Sequence, residues 1–118
     1  MFAGGCLSRT AVKTLAFKGN MDLREIHLNE TGRINLDGEW EFHFAKFLSP
    51  EFFRSTITGP EPAWMHMPGY WNDVENSGHT FDARGFATYR LRIHLNRNDS
   101  QKNLGLYIPH AFTAYRLF

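Results

Sequence analysis

A single cysteine, Cys6, stands in this chain of 118 residues. No internal disulfide can form, and cysteine usage does not separate a reducing from an oxidising compartment. No run approaches the roughly 20 apolar residues that a membrane-spanning helix needs. Charge of one sign is also lacking, since 13 basic residues against 12 acidic ones leave a formal net charge of +1. So small a surplus supplies no field that would gather nucleic acid or an anionic membrane surface, and neither is expected as a partner. His27, His43, His66, His79, His94 and His110 never fall close together, which excludes a local metal-ligand spacing. A glycine-rich phosphate cradle, a nucleophile elbow and a locally paired catalytic histidine are all missing. The sequence therefore points away from an enzyme, and no cofactor is expected.

What the chain does have is aromatic residues, at 15%, which favour pleated, half-buried surfaces. Its length allows one domain. The central stretch is residues 85–95, in which Ala87, Tyr89, Leu91, Ile93 and Leu95 alternate with Thr88, Arg90, Arg92 and His94. Period two predicts one continuous strand with its apolar set toward a core and its polar set toward water. A second alternating run surrounds Asp37-Gly38, a strong turn signal, and continues with Trp40, Phe42 and Phe44 on one face and Glu39, Glu41 and His43 on the other. Two carboxylates on one strand face invite a glycosidase reading. Alternating acids beside large aromatics are more simply a solvated face.

Taken in order, residues 1–20 read as a disordered leader and residues 21–118 as the domain. Ala3-Gly4-Gly5-Cys6 resembles the end of a lipoprotein signal, but only five residues precede Cys6, and the charged and apolar regions of such a signal are missing. An extended segment with Leu23, Ile26 and Leu28 leads to turn chemistry at residues 29–32. Ser49-Pro50-Glu51 predicts the start of a short helical turn, with Ser49 as N-cap and Pro50 at the first helical position. Trp64-Met65-His66-Met67 predicts a short extended segment stopped by Pro68-Gly69. Near the end, Leu104, Leu106 and Ile108 alternate with Gly105 and Tyr107, and residues 113–118 form a further apolar run. Both are expected as strands, with Leu106 and Ile108 in the same core as Trp40, Phe42, Tyr89, Leu91 and Ile93. A strand at the last residue has no hairpin return, so the sandwich is expected to be incomplete at its C-terminal side.

The long connection from 69 to 85 mixes aromatic and polar side chains in a surface loop. Sites for sugars and other polar ligands use aromatic faces for stacking and amide, carboxylate or guanidinium groups for orientation. Tyr70, Trp71, Asn72, Asp73 and Arg84 are therefore the candidate ligand-binding residues, with Trp71 as stacking platform. The competing reading has Tyr70 and Trp71 closing one end of a sandwich while Asn72 and Asp73 make turn hydrogen bonds.

Five blocks carry a family resemblance: Met21-Asp22-Leu23, the run from Gly32 through Leu36-Asp37-Gly38-Glu39-Trp40 to Phe42, Met67-Pro68-Gly69-Tyr70-Trp71-Asn72, the run from Gly85 to Leu91, and Ala114-Tyr115-Arg116-Leu117-Phe118. In this order they resemble the extracytoplasmic sensor domain of bacterial seven-transmembrane receptors with diverse intracellular signalling modules. They are more loosely similar to the sugar-binding jelly-roll domain of family-two glycoside hydrolases. Both resemblances imply a galactose-binding-like antiparallel β-sandwich, all-β in class. The first implies a non-catalytic sensor on the extracytoplasmic side of a bacterial membrane, recognising a carbohydrate or other small molecule and belonging to a membrane-embedded parent. The second implies an accessory domain whose catalytic barrel lies elsewhere.

Overall fold

Strand β2 (Gly38–Phe44) is the longest regular element among the described residues, and its alternation decides which residues meet. The computed structural model describes residues 14–55, 61–111 and 113–118; residues 1–13 of the expected leader lie outside them. β3 (Ala63–Met67) and β4 (Ala87–Arg90) pair antiparallel on either side of β2, giving the three-stranded order β3-β2-β4. Pairing Trp40 with Met65, and Phe42 with both Ala63 and Tyr89, places these residues on one face. Phe42 is buried at its centre, with ring centroids of Tyr89 at 4.9 Å, Phe81 at 5.1 Å and Trp71 at 6.1 Å. Phe44 extends the cluster by stacking on Phe81 at 5.2 Å. Burying a side chain like Phe42 contributes about 2–3 kcal/mol. The same desolvation pushes the Tyr89 phenol up to about 12.

β1 (Asn20–Leu23) and β5 (Arg92–Leu95) form a second, two-stranded sheet whose pairing is parallel. Met21 and Leu23 are buried with Ala16, and Ile26, Ile34, Leu36, Trp40, Leu91 and Leu95 pack against them. Through Trp40 this cluster is continuous with the aromatic face of β2. The architecture is thus β-rich with an antiparallel sheet, supplemented by single helical turns, and it is compatible with a two-layer sandwich.

Local signals were read correctly where their cause was local. Single turn α1 (Leu28–Thr31) sits at the expected turn before Gly32, and α2 (Pro50–Arg54) begins as expected, with the Ser49 side chain accepting a hydrogen bond from the Phe52 amide. β3 runs to Met67 and stops before Pro68. α3 (Val74–Ser77) and α4 (Arg97–Ser100) complete the elements among the described residues.

Four expectations are corrected. The strand expected through residues 85–95 breaks at Leu91, where the chain leaves the antiparallel sheet as β4 and enters the parallel pair as β5. Ile93 is consequently 40% exposed. Asp37-Gly38 does not close a hairpin. Gly38, at φ +125, starts β2 where the chain at Ala16 runs parallel beside it, with the Ala16 amide donating to the Asp37 carbonyl and the Glu39 amide donating to the Ala16 carbonyl. Leu106 and Ile108 stay out of the core, 53% and 38% exposed, and neither residues 104–108 nor residues 113–118 form a strand. The polar face of β2 is not simply solvated either, because α2 covers part of it. His43 is 6% exposed, and its ring centroid lies 5.8 Å from that of Phe53.

Candidate functional site

Segment 69–85 leaves β3, makes α3 and returns to β4, and its anchor is Trp71. The indole packs on Phe42 and Phe44, at centroid distances of 6.1 and 6.0 Å, and its N–H donates to the Asp82 carbonyl at 2.8 Å. The backbone amide of Arg84 donates to Oδ1 of the same Asp82 at 3.0 Å, which ties both ends of the loop to one residue. Tyr70 is 65% exposed, and Asn72, Asp73 and Arg84 are exposed as well. The Asp73 carboxylate accepts from the Glu75 amide at 3.0 Å, an Asx-type contact at the start of α3. Trp71 thus holds the loop against the core, while Tyr70, Asn72, Asp73 and Arg84 are exposed at its surface. The ring and N–H of Trp71 are engaged in packing and loop closure.

The opposite face of the sheet carries a second group of residues. Pairing Glu41 with Trp64 and with Arg90 places all three side chains together. Arg90 Nε donates to Glu41 Oε2 at 2.6 Å, and His43 Nε2 lies 3.1 Å from Glu41 Oε1, so both carboxylate oxygens are occupied. The Arg90 guanidinium also lies 4.0 Å from the centre of the Phe53 ring on α2. Thr88 fastens the approach to that helix, donating to the Lys46 carbonyl at 2.6 Å and accepting from the Leu48 amide at 3.0 Å. A carboxylate so fully committed is a fixed acceptor and positioner.

Beside this network lies an open groove of about 190 Å³ lined by Lys18, Gly19, Asn20, Glu41, Trp64, Arg90 and Arg92. One wall is a tight turn, in which the Phe17 amide donates to the Asn20 carbonyl at 2.8 Å and the Asn20 amide to the Phe17 carbonyl at 3.1 Å. Lys18 and Gly19 have φ of 47 and 74, the two positive values that a type I′ turn requires. Gly19 is needed for space too, because a Cβ there would come within 3.3 Å of both Glu41 and the Trp64 ring. The Gly19 amide and carbonyl bond Glu39 and Arg92, so the turn is clamped between the two sheets. Sequence reading placed Lys18 and Asn20 in the leader, and no spacing pattern links them to Trp64 or Arg92. The available signal was the Lys18-Gly19-Asn20 turn.

A second groove, of about 290 Å³, lies between α1 and α4 and includes His27, Asn96, Asp99 and Lys102. Its polar groups serve the fold. Asn96 caps α4, and buried Asp99 accepts from Lys102 Nζ at 2.9 Å and from Asn96 Nδ2 at 2.8 Å. The bond from Lys102, followed by that from Asn96, holds the Asp99 carboxyl below its usual range against the opposing effect of desolvation. Among the described residues no group of three or more His, Cys, Asp or Glu side chains converges to hold a metal, and no helix is long and apolar enough to cross a membrane. Comparison of the chain with protein-family models, with curated proteins and with solved structures gives no match.

Proposed function

We propose that this chain is a non-catalytic ligand-binding domain, the extracytoplasmic sensor of a bacterial signalling receptor, recognising a carbohydrate or another small polar ligand. The observation that carries the reading is the loop of residues 69–85, in which Trp71 is packed into the aromatic core while Tyr70, Asn72, Asp73 and Arg84 are exposed. A rigid sheet holding a polar and aromatic loop is the usual physical basis of a recognition surface. The β-rich architecture supports the reading, as do the five sequence blocks that resemble the sensor domains of seven-transmembrane receptors. A galactose-binding-like jelly roll is the specific fold proposed.

Binding of the chain to an array of glycans and small polar metabolites tests this directly. The expected result is a hit that Arg84→Gln weakens by about 10-fold, the usual effect of losing one charge-assisted hydrogen bond. Trp71→Ala is expected to act on stability, by about 3 kcal/mol, because it empties a packed aromatic site. A parent chain that binds nothing on the array sinks the ligand-binding reading. Seven apolar stretches of about 20 residues encoded downstream would support the receptor assignment, whereas alternating strands and helices of a barrel would replace it with a hydrolase accessory domain.

A further inference from the structure

We infer that the groove on the α2-covered side of the sheet is a separate binding site, and that it takes a single acidic sugar of the uronate type, with its carboxylate on Lys18 and Arg92. The inference rests on the proposed ligand-binding function only for the carbohydrate class, and it locates a site away from the loop of residues 69–85.

Charge decides the sign of the ligand. Three cations, Lys18, Arg90 and Arg92, line the groove against one carboxylate, Glu41. Glu41 and Arg90 neutralise each other through the 2.6 Å contact. That leaves Lys18 and Arg92 as an uncompensated positive pair. Arg92 is exposed, and its guanidinium has no hydrogen-bond partner among the described residues; Lys18 has only the Phe17 ring, 5.6 Å from its Nζ. A guanidinium left free in a groove is suited to a bidentate bond with a carboxylate.

The remaining lining decides the chemistry of the rest of the ligand. Half-buried Trp64 offers an apolar aromatic surface, and its indole N–H has no partner among the described residues. The Asn20 amide, one of whose hydrogens bonds the Lys18 carbonyl while its Oδ1 meets His94, keeps a second hydrogen, and the Glu41 carboxylate keeps lone pairs beyond those held by Arg90 and His43; these are suited to hydroxyls. An aromatic surface beside amide and carboxylate groups fits a polyhydroxylated ring better than a bare inorganic anion. Size sets the limit. About 190 Å³ is roughly six times the share of liquid volume that one water occupies, so the open groove seats about one ring. The site is also held in place before any ligand arrives. The Lys18-Gly19 turn is clamped by backbone bonds to Glu39 and Arg92, and Arg90 is fixed between Glu41 and Phe53, so ordering on binding falls mainly on the Lys18 and Arg92 side chains.

Calorimetric titration of the whole chain with galacturonate, galactose and inorganic phosphate tests the site. Galacturonate is expected to bind, at least about 10-fold more tightly than either of the others, and to weaken by about 10-fold in Arg92→Gln and in Lys18→Gln. Arg33→Gln, at an exposed arginine outside both sites, is expected to leave that affinity unchanged, and added salt to reduce it. Both groove substitutions are at exposed side chains, and equal melting temperatures for parent and variants would confirm an intact fold. Galactose binding as tightly as galacturonate, or galacturonate binding that ignores Arg92 and Lys18, overturns the inference while leaving the ligand-binding function standing. Phosphate binding as tightly as galacturonate reduces the groove to an anion site and overturns the sugar assignment. A chain that binds glycans on an array but not galacturonate also overturns it.

Discussion

Gly38 shows how much a single position can depend on a distant one. Its φ of +125 is poorly tolerated by side-chain-bearing residues, and a Cβ there would overlap the backbone N and O of Ala16. Both Ala16 groups are already bonded to the residues flanking Gly38, so the segment at Ala16 cannot step aside without losing them. Gly38→Ala is therefore expected to cost about 3 kcal/mol, combining backbone strain with a steric clash. Urea denaturation measures it, and a loss below about 1 kcal/mol would mean that the approach of Ala16 to Gly38 is not as tight as described. Sequence alone marked Asp37-Gly38 as a place where the backbone turns. It could not show that the glycine is required by a segment 22 residues earlier, because that demand arises only once residues 14–20 lie on the sheet. The candidate loop residues divide in a similar way. Their types were legible as aromatic and polar, but whether Trp71 faces a ligand or a core depends on where Phe42 and Phe44 are brought by β2.

At the scale of elements, α2 was readable and its role was not. Ser49, Pro50 and Glu51 specify the start of a helix through short-range contacts, and the helix begins there. What the helix covers depends on β4, some forty residues later, whose Arg90 passes under Phe53 and whose Thr88 bonds the Lys46 and Leu48 backbone. Ser49→Ala is expected to lower stability by about 1 kcal/mol through loss of the cap. It is also expected to raise hydrogen exchange selectively in residues 46–54, which exchange mass spectrometry resolves. Uniform destabilisation with no local increase would show that α2 is not a separately opening cover. The break at Leu91 was illegible for the opposite reason. Alternation of apolar and polar residues runs unchanged from Ala87 to Leu95, and the pattern carries no sign that the chain changes partner between Arg90 and Arg92.

Across the whole molecule, most of the β2, β3 and β4 faces could be read from period two, while the groove could not, since its lining comes from separated stretches of chain. The parallel pairing of β1 with β5 has a further consequence, for the time course of folding. His94 and Asn20, which meet across this pair, are separated by 74 residues, and no short turn can join parallel strands. The loop-closure entropy must be met before any β1–β5 contact stabilises the chain. β2, β3 and β4 require shorter closures, and the Phe42 cluster can collapse without β1. Pulsed hydrogen exchange during refolding should therefore find amides of β2 and β3 protected before those of β1 and β5. Simultaneous protection would indicate a single concerted step. The Lys18-Gly19 turn, hydrogen-bonded to both Glu39 and Arg92, would then be completed last, and the groove beside it would form only at the end of folding.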